Sequence, residues 1–217
     1  MAIRAYVFDA YGTLFDVHAA VRRHAAAIGP ESQRLSDIWR TKQLEYTWVR
    51  SLMGRYRDFW SLTEEALDHA IAAAAPGAAP LRAQLLDAYR ELDAYPEVRG
   101  VLTRLKDGAS LAILSNGSPD MLDAAVASAG IGDLLDAVIS VDDIGVFKTA
   151  PAVYDLVGER LGVGPEEVSF QSSNRWDIAG AVAYGFRAAW INRSGQPDEY
   201  PDLAPALVLP SLEGLAG

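Results

Sequence analysis

The sequence predicts an α/β fold: a doubly wound parallel sheet with a helical segment inserted after its first strand. Three observations lead there. Five short apolar runs are spaced along the chain, each closed by polar or turn residues. Helical stretches separate the later runs. The segment between the first and second runs holds no convincing strand and reads as helix.

The first run covers residues 4–9, with Tyr6, Val7 and Phe8 as strand formers. The others are 109–115, 137–141, 168–172 and 187–192. Runs this short and this apolar read as strands buried on both faces. Helices are expected over 119–129, 150–161 and 177–184. Strand–helix–strand repetition makes neighbours parallel through right-handed crossovers. The insertion reads as helices over 17–28, 31–53, 59–75 and 81–92. In the second, Leu35, Ile38, Trp39, Lys42, Tyr46, Val49 and Leu52 follow a helical period. Pro76-Gly77 punctuates the third and fourth. The expected division is a Rossmann-like core of residues 1–15 and 96–217 and a helical cap of residues 16–95, set as a lid over the sheet's active edge.

Composition limits what such a fold can do. The 217 residues make roughly one and a half domains of ~150. With 29 acidic against 19 basic residues the net charge is -10, which argues against a general nucleic-acid binder. No cysteine is present, so a disulfide scaffold, a thiolate metal site and a cysteine nucleophile are excluded. Three histidines argue against a histidine-rich metal centre. No apolar run approaches ~18 residues, so no membrane helix is expected. Asp9 interrupts the opening stretch too early for a signal peptide. A soluble cytoplasmic protein is expected.

In a doubly wound sheet, ligands bind beyond the carboxyl ends of the strands. Those ends carry Asp9, Ser115-Asn116, Asp142 and residues 172–177. Asp9 precedes Ala10-Tyr11-Gly12-Thr13, a glycine turn with free N–H groups. A carboxylate there can serve as a nucleophile that forms an ester, or simply end the strand in an Asx turn. Ser115-Asn116-Gly117-Ser118 opens a helix with Pro119 in its first turn, suited to an anion and equally to an ordinary cap. Lys148, just ahead of a helix, would favour the charged form of Asp9, or be a solvated lysine. Asp177 could orient Lys148 or a water, or be a first-turn carboxylate favoured by the helix dipole.

Asp-x-Tyr-Gly-Thr, Ser-Asn, Lys and Ser-Ser-Asn-x-x-Asp, in this order, resemble the haloacid dehalogenase superfamily, and specifically its L-2-haloacid dehalogenases. The resemblance covers essentially the whole chain, including the cap motif 39–48 (WRTKQLEYTW). It implies hydrolysis of short L-2-haloacids to D-2-hydroxyacids through an ester on Asp9, with C2 inverted. It implies Arg40 and Asn174 as the receivers of halide. Thr13, Lys148, Tyr154 and Ser172 match the family's support for Asp9, and Asp177 with its neighbours would orient the water. Ser115 and the N–H groups near Asn116 and Tyr11 would hold the substrate carboxylate. Tyr11, Leu44, Phe59 and Trp176 match its apolar pocket, although plain core packing would place them similarly. No cofactor and no metal are implied. The partners are a 2-halocarboxylate and a halide ion, with a homodimer usual.

The alternative is a magnesium-dependent phosphatase of the same fold. Such relatives carry a second Asp two residues after the nucleophile, where this chain has Tyr11 with a pKa near ~10. They also carry acidic residues where Ser172, Ser173 and Asn174 stand, leaving few hard carboxylates for Mg²⁺. A non-catalytic binding protein is the third class, and Asp9, Lys148 and Asp177 together argue against it. Halide departure needs a desolvated cationic pocket. Residues 40–57 offer Arg40, Lys42, Arg50, Arg55 and Arg57 against Glu45; most suit a basic surface face, and Arg40 matches the family's halide-binding arginine. The chain departs from the family pattern at Thr41, which replaces a common glutamine beside the expected pocket, at Thr149 in place of a proline, and at Gln171, where an apolar residue is usual.

Overall fold

The computed structural model describes residues 2–215. Its centre is a six-stranded sheet in the order β3-β2-β1-β4-β5-β6, parallel at every pairing. The strands are β1 (Ala5–Phe8), β2 (Ser110–Ser115), β3 (Ala137–Ser140), β4 (Val168–Ser172), β5 (Arg187–Ile191) and β6 (Leu207–Leu209). Val7, Phe8, Leu111, Ile113, Phe170 and Ile191 are fully buried, which is why these segments carry no alternation of polar residues. β6 is a short, half-exposed edge strand that the hydrophobic pattern does not announce.

Four helices belong to this core: α6 (Val98–Lys106), α7 (Pro119–Ala129), α8 (Pro151–Leu161) and α9 (Arg175–Tyr184), numbered after the five that precede them in the chain. α7 and α8 start on proline and stop on a left-handed glycine, Gly130 and Gly162, the expected asymmetry of helix ends. α6 has no counterpart in the sequence reading. Its buried residues Val98, Val101, Leu102 and Leu105 do follow a helical period.

Between β1 and β2 the chain forms the helical cap: α1 (Ala19–Arg23), α2 (Ala25–Ile28), α3 (Ser32–Met53), α4 (Phe59–Ala74) and α5 (Arg82–Arg90). The single helix expected over 17–28 is two. α1 buries Ala19, Ala20 and Val21, whereas α2 buries nothing, so no shared packing holds both to one axis across His24. α3 is 22 residues long, and its buried stripe is Leu35, Ser36, Trp39, Gln43 and Thr47. This differs from the expected face, because Val49 and Leu52 are exposed, at 44% and 88%. A stripe recurring every four residues passes through two polar positions, Gln43 and Thr47, instead.

Two adjacent linkers join cap to core. Asp16 N–H donates to Asp93 O at 2.9 Å and Tyr95 N–H to Leu14 O at 3.0 Å. Arg193, after β5, grips both: it donates to Thr13 O at 2.9 Å, stands 3.7 Å from the Tyr95 ring centre and pairs with Glu97 at 2.6 Å. Further out, the Tyr56 hydroxyl bonds Asp142, Phe147 N–H donates to Ser51 at 3.2 Å and Trp60 N–H donates to Ser118 at 3.2 Å. The cap therefore sits closed on the carboxyl edge of the sheet. No helix among the described residues is long and apolar enough to cross a membrane.

Candidate active site

The chain builds β1, β2 and β3 outward in one direction, then crosses back to place β4 on the other side of β1. The order reverses between β1 and β4, and a crevice opens at such a point. Asp9 follows β1 directly. Its N–H donates to Gln171 O at 2.9 Å, continuing the ladder one residue so that the carboxylate leaves the sheet edge. Asp9 is 5% exposed.

Three side chains converge on that carboxylate. Lys148 Nζ donates to Oδ1 at 3.1 Å; Thr13 Oγ1 and Asn174 Nδ2 donate to Oδ2 at 3.0 and 2.9 Å. Thr13 returns beneath Asp9 because Gly12 takes φ +95°, a conformation that a side chain disfavours. Its hydroxyl in turn accepts from Ser173 N–H at 2.8 Å, tying the turn after β1 to the loop after β4.

Behind Asp9 lies a buried relay. Lys148 Nζ also donates to Asp177 Oδ2 at 2.8 Å, and Tyr154 donates to Asp177 Oδ1 at 2.9 Å. Asn116 accepts from Lys148 N–H at 3.0 Å, which fixes the backbone of the lysine, and the Lys148–Thr149 peptide bond is cis. Burial by itself would lower the pKa of Lys148; Asp177 and then Asp9 outweigh it and hold the ammonium above its ordinary range. Burial is also the largest influence on Asp177, and with Asp9 nearby it raises that carboxyl against the pull of Lys148. Burial foremost, then Asp177, pushes the Tyr154 hydroxyl well up, so it stays a donor.

The cap delivers Arg40. Trp39 anchors α3 by donating its indole N–H to Thr63 O at 2.9 Å, and the next residue extends over the crevice. Arg40 Nη1 donates to Gln43 Oε1 at 2.8 Å, and Nη2 donates to Tyr11 O at 3.1 Å and Asn174 Oδ1 at 3.3 Å. The Tyr89 hydroxyl also meets this guanidinium, so Gln43, Tyr89, Tyr11 and Asn174 together orient the charge that Arg40 brings to the crevice. Two carboxylates, Asp9 and Asp177, thus meet two cations, Lys148 and Arg40, in a nearly closed space. The other cap cations point elsewhere: Lys42 pairs with Glu45 at 2.7 Å, while Arg50 and Arg57 share Glu65.

Ser172 is buried and accepts from Asn174 N–H at 3.1 Å, so it meets Asp9 through Asn174. Ser115 accepts from Gly117 N–H at 3.0 Å and keeps its own hydrogen to donate. Tyr11 is buried between rings, 5.9 Å from Phe59 and stacked on Tyr89 at 5.8 Å. Trp176 packs edge-on against Trp48 at 5.4 Å, bridging α9 and α3. Leu44 is half-buried on α3, and Thr41 is exposed there. Gln171 is buried, donates to Ser169 at 2.6 Å and leaves its own amide oxygen unpaired. Among the described residues no group of three or more histidine, cysteine or acidic side chains could hold a metal ion.

Several residues of this site carry no role in the sequence reading: Gln43, Tyr89, Arg193 and Gly180. A Cβ on Gly180 would collide with the Tyr154 hydroxyl and lie 2.8 Å from Thr149 Cβ, so this glycine lets Tyr154 reach Asp177. No local pattern in the sequence marks it.

Residues 3–185 match the model of a hydrolase family, the haloacid dehalogenase-like hydrolases. The chain belongs to that family. Within it, the chain is 52% identical to (S)-2-haloacid dehalogenase 1 of Pseudomonas sp. (strain CBS-3), over 91% of this chain and 88% of that one. It is 47% identical to (S)-2-haloacid dehalogenase 4A of Burkholderia cepacia, over 94% and 89%. Among solved structures it superposes with a TM-score of 0.91 on the L-2-haloacid dehalogenase from Xanthobacter autotrophicus with chloropropionic acid covalently bound, at 42% identity over 99% of this chain and 97% of that one. This haloacid dehalogenase-like hydrolase thus shares its fold with an enzyme captured in a covalent state.

Proposed function

We propose that the chain hydrolyses short L-2-haloacids to D-2-hydroxyacids through an ester on Asp9. The observation that carries this is the hydrogen-bonding of Asp9: a cation and two neutral donors hold both carboxylate oxygens, while Arg40 arrives from the cap beside Asn174. In the first step an Asp9 oxygen forms a bond to C2 from behind, and the C–halogen bond breaks with its electron pair leaving as halide toward Arg40 and Asn174. Ser115 and the N–H groups near Asn116 and Tyr11 hold the substrate carboxylate. In the second step water, oriented by Asp177 and its neighbours, attacks Asp9 Cγ, and the hydroxyacid departs with the former Asp9 oxygen. Tyr11, Leu44, Phe59 and Trp176 form the apolar wall. Halide release from the two enantiomers of 2-chloropropionate tests this: the L form should react and the D form should not, with fluoroacetate extending the test to fluoride.

The phosphatase alternative gains no support. Tyr11 is a buried, stacked phenol whose pKa burial pushes well up, unsuited to protonating an alcohol leaving group. Dialysis against EDTA should leave halide release unchanged; a loss restored by Mg²⁺ would overturn the reading of the loop after β4. We place the cap at residues 16–95 and the core at 1–15 and 96–217. The family resemblance also suggests a cytoplasmic homodimer, and the exposed apolar end of α3, Trp48, Val49, Leu52 and Met53, would suit a second copy.

Replacing Arg40 by alanine should slow turnover far more than replacing Arg57. Arg40 meets the departing charge in a water-poor space, a contact worth ~3 kcal/mol or more. Arg57 shares Glu65 on an exposed face, where such pairs contribute ~0–1 kcal/mol. Equal kcat/KM for the two variants would remove Arg40 from the site.

A further inference from the structure

The interior of the cap contains a chain of polar side chains that the proposed mechanism leaves unused. Thr63, Gln43 and Tyr89 are buried, at 0%, 1% and 3% exposure. Their hydrogen bonds admit one direction. Thr63 Oγ1 donates its single hydrogen to Phe59 O at 2.8 Å, one turn earlier on α4. It can then only accept from Gln43, which donates from Nε2 at 2.7 Å. The Gln43 oxygen is thereby turned the other way. It accepts from Arg40 Nη1 at 2.8 Å and from the Tyr89 hydroxyl at 3.2 Å, so both lone pairs are used. A flipped amide would set its NH₂ group against a guanidinium and its oxygen against the Thr63 oxygen, whose hydrogen is already given to Phe59 O, a costly arrangement in a buried site.

We infer that Gln43 is a positioning residue that holds the Arg40 guanidinium where the halide departs, its amide orientation set by Thr63. This rests on the proposed dehalogenation. Arg40 is a long side chain crossing from cap to core, and its far contacts at Tyr11 O and Asn174 are longer than its contact with Gln43. Without Gln43 the guanidinium keeps only those longer contacts and the Tyr89 hydroxyl, which itself loses the Gln43 oxygen that orients it. The loss should fall on the step in which negative charge leaves, and most on the poorer leaving group.

The test is a cycle of Gln43→Met, which keeps the length of the side chain, with Arg40→Ala, on 2-chloro- and 2-bromopropionate. Gln43→Met alone should lower kcat for the chloro acid about tenfold, the size of one lost hydrogen bond to a charged group. KM should change little and the bromo acid should lose less. With Arg40→Ala present, Gln43→Met should cost less than about twofold, because the two act as one unit. Where that double variant is too slow to read, the bromo-to-chloro ratio decides. If Gln43→Met does not fold, Thr63→Val should show the same selective loss and Thr63→Ser should recover most of it. Equal losses for both halides, equal losses in both Arg40 backgrounds, or no loss would overturn the inference. A wild-type chain that releases no halide from either acid would instead overturn the dehalogenase reading on which it rests.

Discussion

Asp9→Ala should reduce halide release by roughly 10⁴-fold or more while leaving the protein folded, because a covalent route has no substitute for its nucleophile. The charge balance explains why the fold survives. Removing Asp9 leaves Lys148 paired with Asp177 at 2.8 Å, one cation against one carboxylate. Thr13 and Asn174 each lose a partner, at about 1 kcal/mol apiece. Thermal unfolding should shift by only about 5 °C in a domain of this size. An Asp9→Ala protein that retains a tenth of the wild-type rate would remove Asp9 as nucleophile.

Lys148→Met should lose stability as well as activity. Its ammonium is the shared partner of two buried carboxylates, 3.1 Å from Asp9 and 2.8 Å from Asp177. Breaking a buried pair from one side costs about 3–5 kcal/mol. The variant should also show a characteristic pH dependence. A carboxyl whose folded pKa lies above its unfolded value opposes folding once pH rises past the unfolded value, and that opposition disappears in acid as the group is protonated. Asp177 is already raised by burial and Asp9, and without Lys148 the larger part of the opposing pull is gone, leaving only the Tyr154 hydrogen bond. Lys148→Met should therefore be least stable near neutral pH and recover toward pH ~5, relative to wild type at each pH. A stability deficit that is flat across that range would contradict the assignment of the ammonium to both carboxylates.

Much of the fold can be read from sequence because parallel strands buried on both faces are nearly uninterrupted apolar runs. One strand escapes that pattern for a physical reason: β6 has three residues, with Leu207 and Val208 about half exposed. α6 is hard to read because Arg99, Arg104 and Lys106 hide the spacing of Val98, Val101, Leu102 and Leu105. Within the site, Asp9, Lys148 and Asp177 are legible because each is a charged residue at a strand end or a helix start. Gln43 is not, because an apolar-period reading of α3 favours Val49 and Leu52 and passes over a buried amide. Arg193 and Gly180 are illegible for another reason. Each acts on a partner far away in sequence, Thr13 for the first and Tyr154 for the second, and nothing local records that meeting.

Product stereochemistry cannot test whether Asp9 becomes covalently bonded to the substrate. Backside attack by Asp9 and direct attack by water both invert C2 once. Oxygen tracing separates them. With enzyme in excess over L-2-chloropropionate in heavy-oxygen water, the first turnover should give unlabelled D-lactate, and mass spectrometry should find the label in the peptide that contains Asp9. Labelled lactate from that first turnover, beside an unlabelled Asp9, would contradict the account and make Asp9 a general base.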